Sequence, residues 1–560
     1  MNKSKTTTKK ITKLIFILIL VTNFFNCYSQ NHNIILGRPT HNSITVSVMF
    51  DNTTQYYIEY GVATGSYPNQ TTTFTSTINT PNHIDINGLT GNTKYFYRLM
   101  YKSGTIFIPS QEYSFHTQRG AGDSFTFTVE ADEHLYDKKG CKNMYNVTLQ
   151  NQAADNPDFM LTLGDIFGDD HEPFTITSGA LDTLHRDYRP FLGSICHSIP
   201  FFICLGNHEG ENDYYQSFSP PNNLCYWGTQ WRKFYYPNPY PNGFYSGNDT
   251  TEGFGIGNPE NYYSWTWGDA LFVVLDVYRT QCRDSLVNKP QGWNWTLGLP
   301  QYTWLKNTLE SSNANFKFVF AHHLRGQGRG GIAMATTNEW GGNQNTSGNY
   351  TFPIHRPGWD KPIHQLFRDN NVTMFVQGHD HVFAHEVLDS VIYIAAPMAA
   401  DSTYQIGMLA NADAYVSDTV DGTGHLRFMV SSDCVKMDYI KAYLPQDTIS
   451  GAHHNREVGF SVTVGACSTV TKVKTNDALN TDLEIFPNPS NNSFSVKNPE
   501  DFDINMIQVT DILGRKIYQI SNYYTGMIIN TQELPDGFYL VNAFNRSNRK
   551  ISQKLIVSHD

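Results

Sequence analysis

The feature that most constrains this 560-residue chain is a set of five short apolar runs, each ending abruptly in a polar cluster. Phe125–Val129 runs into Asp132-Glu133-His134, and Phe159–Leu163 into Gly164-Asp165. Pro200–Leu205 runs into Gly206-Asn207-His208-Glu209, and Phe316–Phe320 into His322-His323. Met374–Gln377 runs into Gly378-His379-Asp380-His381. A near-continuous apolar run of this length suits a strand buried on both faces, as in layered α/β domains. Leu271–Leu275 adds a further run of the same kind. Polar clusters at strand exits would gather along one edge of the sheet, where α/β proteins carry their chemistry.

The residue types in those clusters are carboxylate, imidazole and one carboxamide, a donor set for hard-to-borderline divalent ions. Two such ions about 3.5–4 Å apart clamp a phosphate ester, and a shared carboxylate is the simplest way to hold them that close. Glycines beside Asp165, Asn207 and His379 permit tight turns and close backbone approach. Each cluster alone reads equally as a solvated turn. Five in order, each after an apolar run, make coincidence a poor account.

The set resembles the calcineurin-like metallophosphoesterase superfamily over residues 124–467. The resemblance implies an α/β fold of four layers, two packed β-sheets flanked by helices. It also implies ligand roles. Asp132, His134 and His381 would hold one metal, Asn207, His322 and His379 the other, and Asp165 would bridge. His208 would stabilise phosphoryl oxygens or protonate the leaving group, and His323 is the ambiguous neighbour of His322. The implied activity is hydrolysis of phosphate esters by a metal-bound hydroxide, with a phosphomonoester as the expected substrate. A phosphodiesterase or nucleotidase of the same fold, or a non-catalytic surface binding protein, are the alternatives. Iron, zinc or manganese would suit the two sites.

Residues 32–117 alternate with period two, as in Ser43–Val48, between turn residues such as Asn52-Thr53 and Gly65-Ser66. This β-sandwich pattern resembles the fibronectin type III-like domain that precedes the catalytic domain of plant purple acid phosphatases. Two departures from those enzymes stand out. Asp132-Glu133-His134 replaces their Gly-Asp-x-Gly, and Gly168 stands where they place a metal-binding tyrosine. Asp169, Asp170 and His171 supply no phenolate, so the violet iron–tyrosinate centre is expected to be absent.

Other residues weigh less. Arg325 and Arg329 follow the His322 motif and suit either bidentate phosphate binding or a solvated loop. His385 reads as structural before it reads as pocket-lining. Tyr214, Tyr215, Trp227, Trp231, Tyr235 and Tyr236 fall in a Tyr-, Trp-, Asn-, Pro- and Gly-rich stretch, 210–265, read as a long loop. Their expected role is packing, with a substrate-covering lid as the alternative.

Lys3 to Lys13, the apolar run Leu14–Val21 and Cys27-Tyr28-Ser29 read as a signal peptide over 1–29. That run is too short to span a bilayer, and no later stretch is long enough, so no transmembrane segment is expected. The formal charge is -11 without a basic block beyond the N-terminus, which argues against nucleic-acid binding. Eight cysteines, including Cys27, give irregular spacing from which no pairing follows. A polar linker over 468–482 precedes a last all-β unit, 483–560. Its segments Leu483–Pro489, Val509–Arg515, Leu534–Val541 and Lys554–Val557 resemble the C-terminal sorting domain of type IX secretion cargo in Bacteroidetes. That resemblance implies the secretion machinery as partner, passage through the periplasm, and a secreted or surface-attached product.

Overall fold

The computed structural model describes residues 32–559, apart from 137–139, 168–172, 282–291, 325–328, 407–413, 416, 450, 468–482, 498–502, 512–514, 522, 525–526 and 546–549. The signal segment, the linker, Gly168 to His171 and Arg325 therefore lie outside the described residues. The chain divides into two units, 1–467 and 468–560.

The larger part of the first unit is built on two sheets. One has six strands in the order Phe201–Ile203, Phe159–Thr162, Phe125–Glu130, Gly424–Val430, Cys434–Lys441, Val458–Gly465. Its first three are mutually parallel. The other has eight strands, with a parallel centre of Ala270–Val274, Phe316–Phe320, Met374–Gln377 and Val391–Ala395. The facing sides interdigitate through aromatic rings. Phe272 of the eight-stranded sheet meets Phe127 edge-on at 5.0 Å, and Phe127 stacks on its cross-strand neighbour Phe428 within the six-stranded sheet with centroids 4.4 Å apart. Offset-stacked and edge-to-face pairs of this kind add roughly 0.5–1.5 kcal/mol each beyond their buried area.

Each sheet covers its outer face with helices. Lys142–Ala154 and Ser178–Cys196 lie on the six-stranded sheet, burying Tyr145, Leu149, Tyr188 and Leu192. Gly298–Ser311 and Ile363–Asp369 lie on the eight-stranded sheet through Leu305, Leu309, Leu366 and Phe367. This is the four-layer arrangement that the resemblance implies.

Residues 32–116 form two smaller antiparallel sheets over a separate core that includes Ile34, Val46, Tyr56, Tyr97 and Phe115. Ile35 and Met49 turn instead toward the helices of the six-stranded sheet. Arg189, fully buried, donates to Asn33 Oδ1 at 2.7 Å and Ser47 Oγ at 3.1 Å, tying that sandwich to helix Ser178–Cys196.

One expectation is corrected. The stretch 210–265, read as a long loop, contains the 12-residue helix Leu224–Tyr235. Its buried residues Leu224, Cys225, Gly228, Thr229, Arg232 and Tyr235 follow helical spacing, and the Asn223 side chain caps it by accepting from Tyr226 N at 3.1 Å. Trp231 Nε1 donates to Ser178 Oγ at 3.0 Å, and Tyr236 OH donates to His185 O at 2.5 Å. These aromatics are packing against the neighbouring helix rather than a lid. Cysteine pairing, left open by spacing, is found between Cys434 and Cys467, whose Cα atoms are 4.7 Å apart.

The second unit is a sandwich of a three-stranded and a four-stranded sheet. Leu483, Phe494, Val496, Ile507, Val509, Val541 and Leu555 fill its core. Among the described residues, no helix is long and apolar enough to cross a membrane.

Candidate metal centre

Every polar cluster singled out in the sequence lies just past the carboxyl end of a parallel strand. Asp132 and His134 follow Phe125–Glu130, Asp165 follows Phe159–Thr162, and Asn207 and His208 follow Phe201–Ile203. His322 follows Phe316–Phe320, and His379 and His381 follow Met374–Gln377. The chain turns sharply at these exits. Asp132, His134, Asp165, His379 and His381 adopt φ of 58°, 47°, 63°, 70° and 55°, a left-handed conformation that side chains other than glycine rarely take. Such residues cluster where the surrounding structure over-determines a functional geometry. The glycines are sterically required. A Cβ on Gly206 would lie 2.2 Å from Asp165 Oδ1, and one on Gly378 2.7 Å from Asp132 Oδ2.

Donor atoms converge in three overlapping clusters: Asp132–His134–His381, His134–Asp165–His208, and Asp165–His322–His379. His134 Nε2 stands 3.0 Å from His381 Nε2, and His322 Nε2 stands 3.1 Å from His379 Nδ1. Asp132 Oδ1 is 3.5 Å from His381 Nε2. Asp165 Oδ2 is 3.2 Å from His322 Nε2 and 3.7 Å from His134 Nε2, so one carboxylate faces both groups. Two nitrogens each about 2.1 Å from a common ion stand roughly 3.0–3.4 Å apart, which matches the ring spacings. Asp132 Oδ1 and Asn207 Oδ1 are buried with no hydrogen-bond partner. Leaving such atoms unmatched costs about 1–3 kcal/mol each, a penalty that bound cations would remove. The residues therefore fit a metal pair.

Supporting bonds hold the donors in place. His322 Nδ1 pairs with Leu163 O at 2.8 Å, which turns Nε2 toward Asp165. Backbone N–H of His379 donates to Asp132 Oδ2, and that of His208 to Asp165 Oδ1, both at 2.9 Å. Burial opposes ionisation of Asp165, but the charges of His322, His208 and His134 outweigh it and hold the carboxyl well below its usual range. Burial likewise favours neutral His322, yet Asp165 and Asp132 push it up to about 9. Metal binding must then displace a proton from His322, since a ligating imidazole donates its lone pair.

Residues 125–383 match the model of the calcineurin-like phosphoesterase family, and residues 484–558 that of the secretion system C-terminal sorting domain. Residues 125–383 form a calcineurin-like phosphoesterase domain. The chain is accordingly a metal-dependent phosphoric ester hydrolase that carries a sorting domain for type IX secretion, which directs export to the surface or the medium. It is similar in structure to PhoD, with a TM-score of 0.53 at 16% identity over 77% of this chain and 90% of that one. It is also similar to the purple acid phosphatase PPD1 of yellow lupin, with a TM-score of 0.51 at 15% identity over 77% and 74%. At these identities the likeness is one of fold. No curated protein sequence matches the chain.

Within the phosphoesterase domain the remaining sequence candidates separate. His323 is buried with Nε2 3.6 Å from Asp380 Oδ2, outside the donor clusters that include His322. His385 lies against Phe460 and Asp418, away from those clusters. Arg329 donates to His379 O at 3.3 Å. Tyr136 packs on Tyr188 and its hydroxyl donates to Asp187 O at 3.4 Å.

Two neighbours of the cage escaped sequence reasoning. Tyr278 is buried with its ring centroid 6.0 Å from that of His322; it follows the apolar run Leu271–Leu275, which was noted without a motif. Glu209 was quoted within Gly-Asn-His-Glu but given no role. Its carboxylate accepts from the backbone N–H of Gly206, Asp165 and Ile166 at 2.6, 3.0 and 2.7 Å. Behind Asp132, the buried carboxyl of Glu130 accepts from Tyr145 OH at 2.9 Å, and burial pushes it up to about 7.

Proposed function

We propose that the phosphoesterase domain is an exported two-metal phosphomonoesterase. The observation that carries this reading is the position of Asp165, whose Oδ2 faces His322 on one side and His134 on the other. A carboxylate so placed suits a bridge between two ions. Asp132, His134 and His381 would hold the first ion, and Asn207, His322 and His379 the second. The donor set admits iron, zinc or manganese. When bound, the ions would supply Lewis-acid polarisation of the phosphate and acidify a water for attack.

The chain's own residues do the rest. Asp165 and Asp132 fix the spacing of the two groups. His208, partly exposed beside Asp165, is placed to donate to a phosphoryl oxygen and to protonate the departing alkoxide. Aligned donors of this kind stabilise charge that develops only in the transition state. The sorting domain puts this chemistry outside the cytoplasm, on a released or surface-attached enzyme.

The test is hydrolysis of p-nitrophenyl phosphate and of its bis ester by purified protein whose metals are quantified. The monoester should be preferred, and Asp165→Ala and Asn207→Ala should each lose bound metal together with turnover. Preference for the bis ester would make it a diesterase. Wild-type turnover and metal content in either variant would overturn the ligand assignment.

A further inference from the structure

Glu211 stands four residues past Asn207 and three past His208, outside the donor clusters of the cage. It is buried, and its carboxylate gathers donors from two other segments. Arg232 Nε donates to Oε1 at 2.5 Å and Arg232 Nη2 to Oε2 at 2.9 Å, a bidentate pair. Thr229 Oγ1 donates to Oε2 at 2.8 Å. Both partners lie on helix Leu224–Tyr235, three residues apart on one face. Arg279, from the turn after Ala270–Val274, brings Nη1 to 3.5 Å from Oε2 and holds Glu252 with Nε and Nη2. Burial opposes the charge of Glu211, but Arg232 and Arg279 outweigh it and hold the carboxyl below its usual range. The turn cannot lift from the helix without stranding a buried guanidinium, which is far costlier than leaving the pair intact.

The helix also touches this turn directly. A Cβ on Gly210 would lie 2.4 Å from Leu224 Cγ, and one on Gly228 2.8 Å from Glu209 O, so two glycines let the segments close on each other. The N–H of Gly210 donates to Asn207 O at 3.2 Å, which ties the contact to the residue that carries the amide. The helix has its own anchors. Arg232 Nη1 donates to Glu260 O at 3.2 Å and Nη2 to Pro259 O at 2.6 Å. The turn over residues 206–211 is therefore held at one end by strand Phe201–Ile203 and at the other by Glu211.

We propose that helix Leu224–Tyr235 clamps the turn that carries Asn207 and His208, with Glu211 as the positioning residue, and so sets the affinity of the Asn207 metal site and the aim of the His208 ring. The clamp rests on the roles of Asn207 and His208 in the phosphomonoesterase reading. A buried ion network that only stabilises the helix would lower Tm and leave both untouched.

The experiment compares wild type, Glu211→Gln, Thr229→Val and Gly228→Ala in the full chain. Asp155→Asn, which weakens a salt bridge with His425 and Arg427, serves as the destabilised control. Zinc affinity is measured by competition against a chelator, and amide hydrogen exchange over residues 206–213 is followed in metal-free protein. Glu211→Gln should weaken the second zinc about 10- to 100-fold with the first retained, the usual effect of losing an outer support. Exchange over the turn should speed up about tenfold. Its kcat should fall further on an alkyl phosphate, whose leaving group needs a proton, than on p-nitrophenyl phosphate. Thr229→Val keeps the shape and removes one donor, so the second zinc should weaken about 3- to 10-fold. Gly228→Ala favours the helix by propensity but pushes on Glu209 O, so it should weaken the second zinc as well. Asp155→Asn should lower Tm and change neither zinc affinity nor exchange over the turn.

Wild-type zinc affinity in both Thr229→Val and Gly228→Ala would overturn the clamp, whether or not Glu211→Gln folds. Faster exchange over the turn without weaker zinc would break its link to the ions. Equal losses in Asp155→Asn would reduce the effect to general instability and overturn the positioning role of Glu211. A wild-type protein that binds two zinc ions and hydrolyses neither ester would sink the phosphomonoesterase reading, and zinc affinity and exchange would then decide the clamp alone.

Discussion

The carboxylate of Glu209 accepts a hydrogen bond from the backbone N–H of Asp165 at 3.0 Å, joining the turn after Phe201–Ile203 to the turn that presents the Asp165 carboxylate. The same group also binds the N–H of Gly206 and Ile166. Glutamine at this position would aim an N–H₂ at donors that need an acceptor. Glu209→Gln should therefore weaken metal binding by about 10- to 100-fold, the usual effect of losing an outer partner of a ligand. Competition titration against a chelator measures it. An unchanged affinity would mean the turn around Asp165 is held by its backbone alone.

The expected lack of a phenolate ligand gives a spectroscopic prediction. The sequence places Gly168 where a purple acid phosphatase carries its tyrosine. Tyr136 hydrogen-bonds to Asp187 O and lies under the Lys142 ammonium at 4.4 Å. Tyr278 is nearer the cage, but burial, then the charge of Asp165, push its phenol well above the usual range. Iron-loaded protein should lack an intense visible band. A band that disappears in Tyr278→Phe would show that this phenolate reaches the metal.

Much of the site was legible because its positions are set by strand ends. A strand buried on both faces leaves an uninterrupted apolar run, so its exit is visible wherever polar residues begin, as at Val129, Leu163 and Gln377. What could not be read depends on partners distant in sequence. Glu130 looks like one more strand residue until Tyr145 and Gln152 arrive from a helix to bind its carboxyl. Asp380 looks like a spacer between His379 and His381 until Gly330 and Tyr415 reach it. The helix Leu224–Tyr235 was hidden by composition: Tyr, Trp, Gly and Thr are weak helix formers, and tertiary burial of one face overrides that preference.

An acid outside the donor clusters should govern acid stability. Asp155, at the end of helix Lys142–Ala154, accepts from His425 Nε2 at 2.7 Å and Arg427 Nη1 at 2.9 Å. Burial would raise its carboxyl, but His425 and Arg427 outweigh it and hold the folded-state value below the usual range. A depressed folded value stabilises fully above the ordinary carboxylate value near 3.9 and loses that stabilisation as pH falls through the folded value. Asp155→Asn should lower Tm at neutral pH by roughly 5 °C, with the gap to wild type shrinking as pH falls below about 4. Thermal melts from neutral pH to below that value test it. A gap independent of pH would mean the loss is one of packing.

His208 should act on chemistry rather than on metal retention. Its Nε2 is 3.9 Å from Asp165 Oδ2, and its side chain is 13% exposed, against 4% or less for His134, His322 and His381. Its backbone N–H, not its ring, fixes Asp165 Oδ1, so truncating the side chain leaves that bond available. The imidazole is thus more exposed than those three histidines and is placed to meet a leaving oxygen. General acid help is typically worth about 10²–10⁴-fold in rate. His208→Ala should keep both metals and lose kcat by that factor on alkyl phosphates, whose alkoxides need a proton. On p-nitrophenyl phosphate the loss should be smaller, because that leaving group departs without one. The donor cluster His134–Asp165–His208 offers the opposite outcome, in which the ring itself binds an ion. Loss of one metal per chain in His208→Ala, with equal rate loss on both substrates, would put His208 among the ligands and end its assignment as the acid.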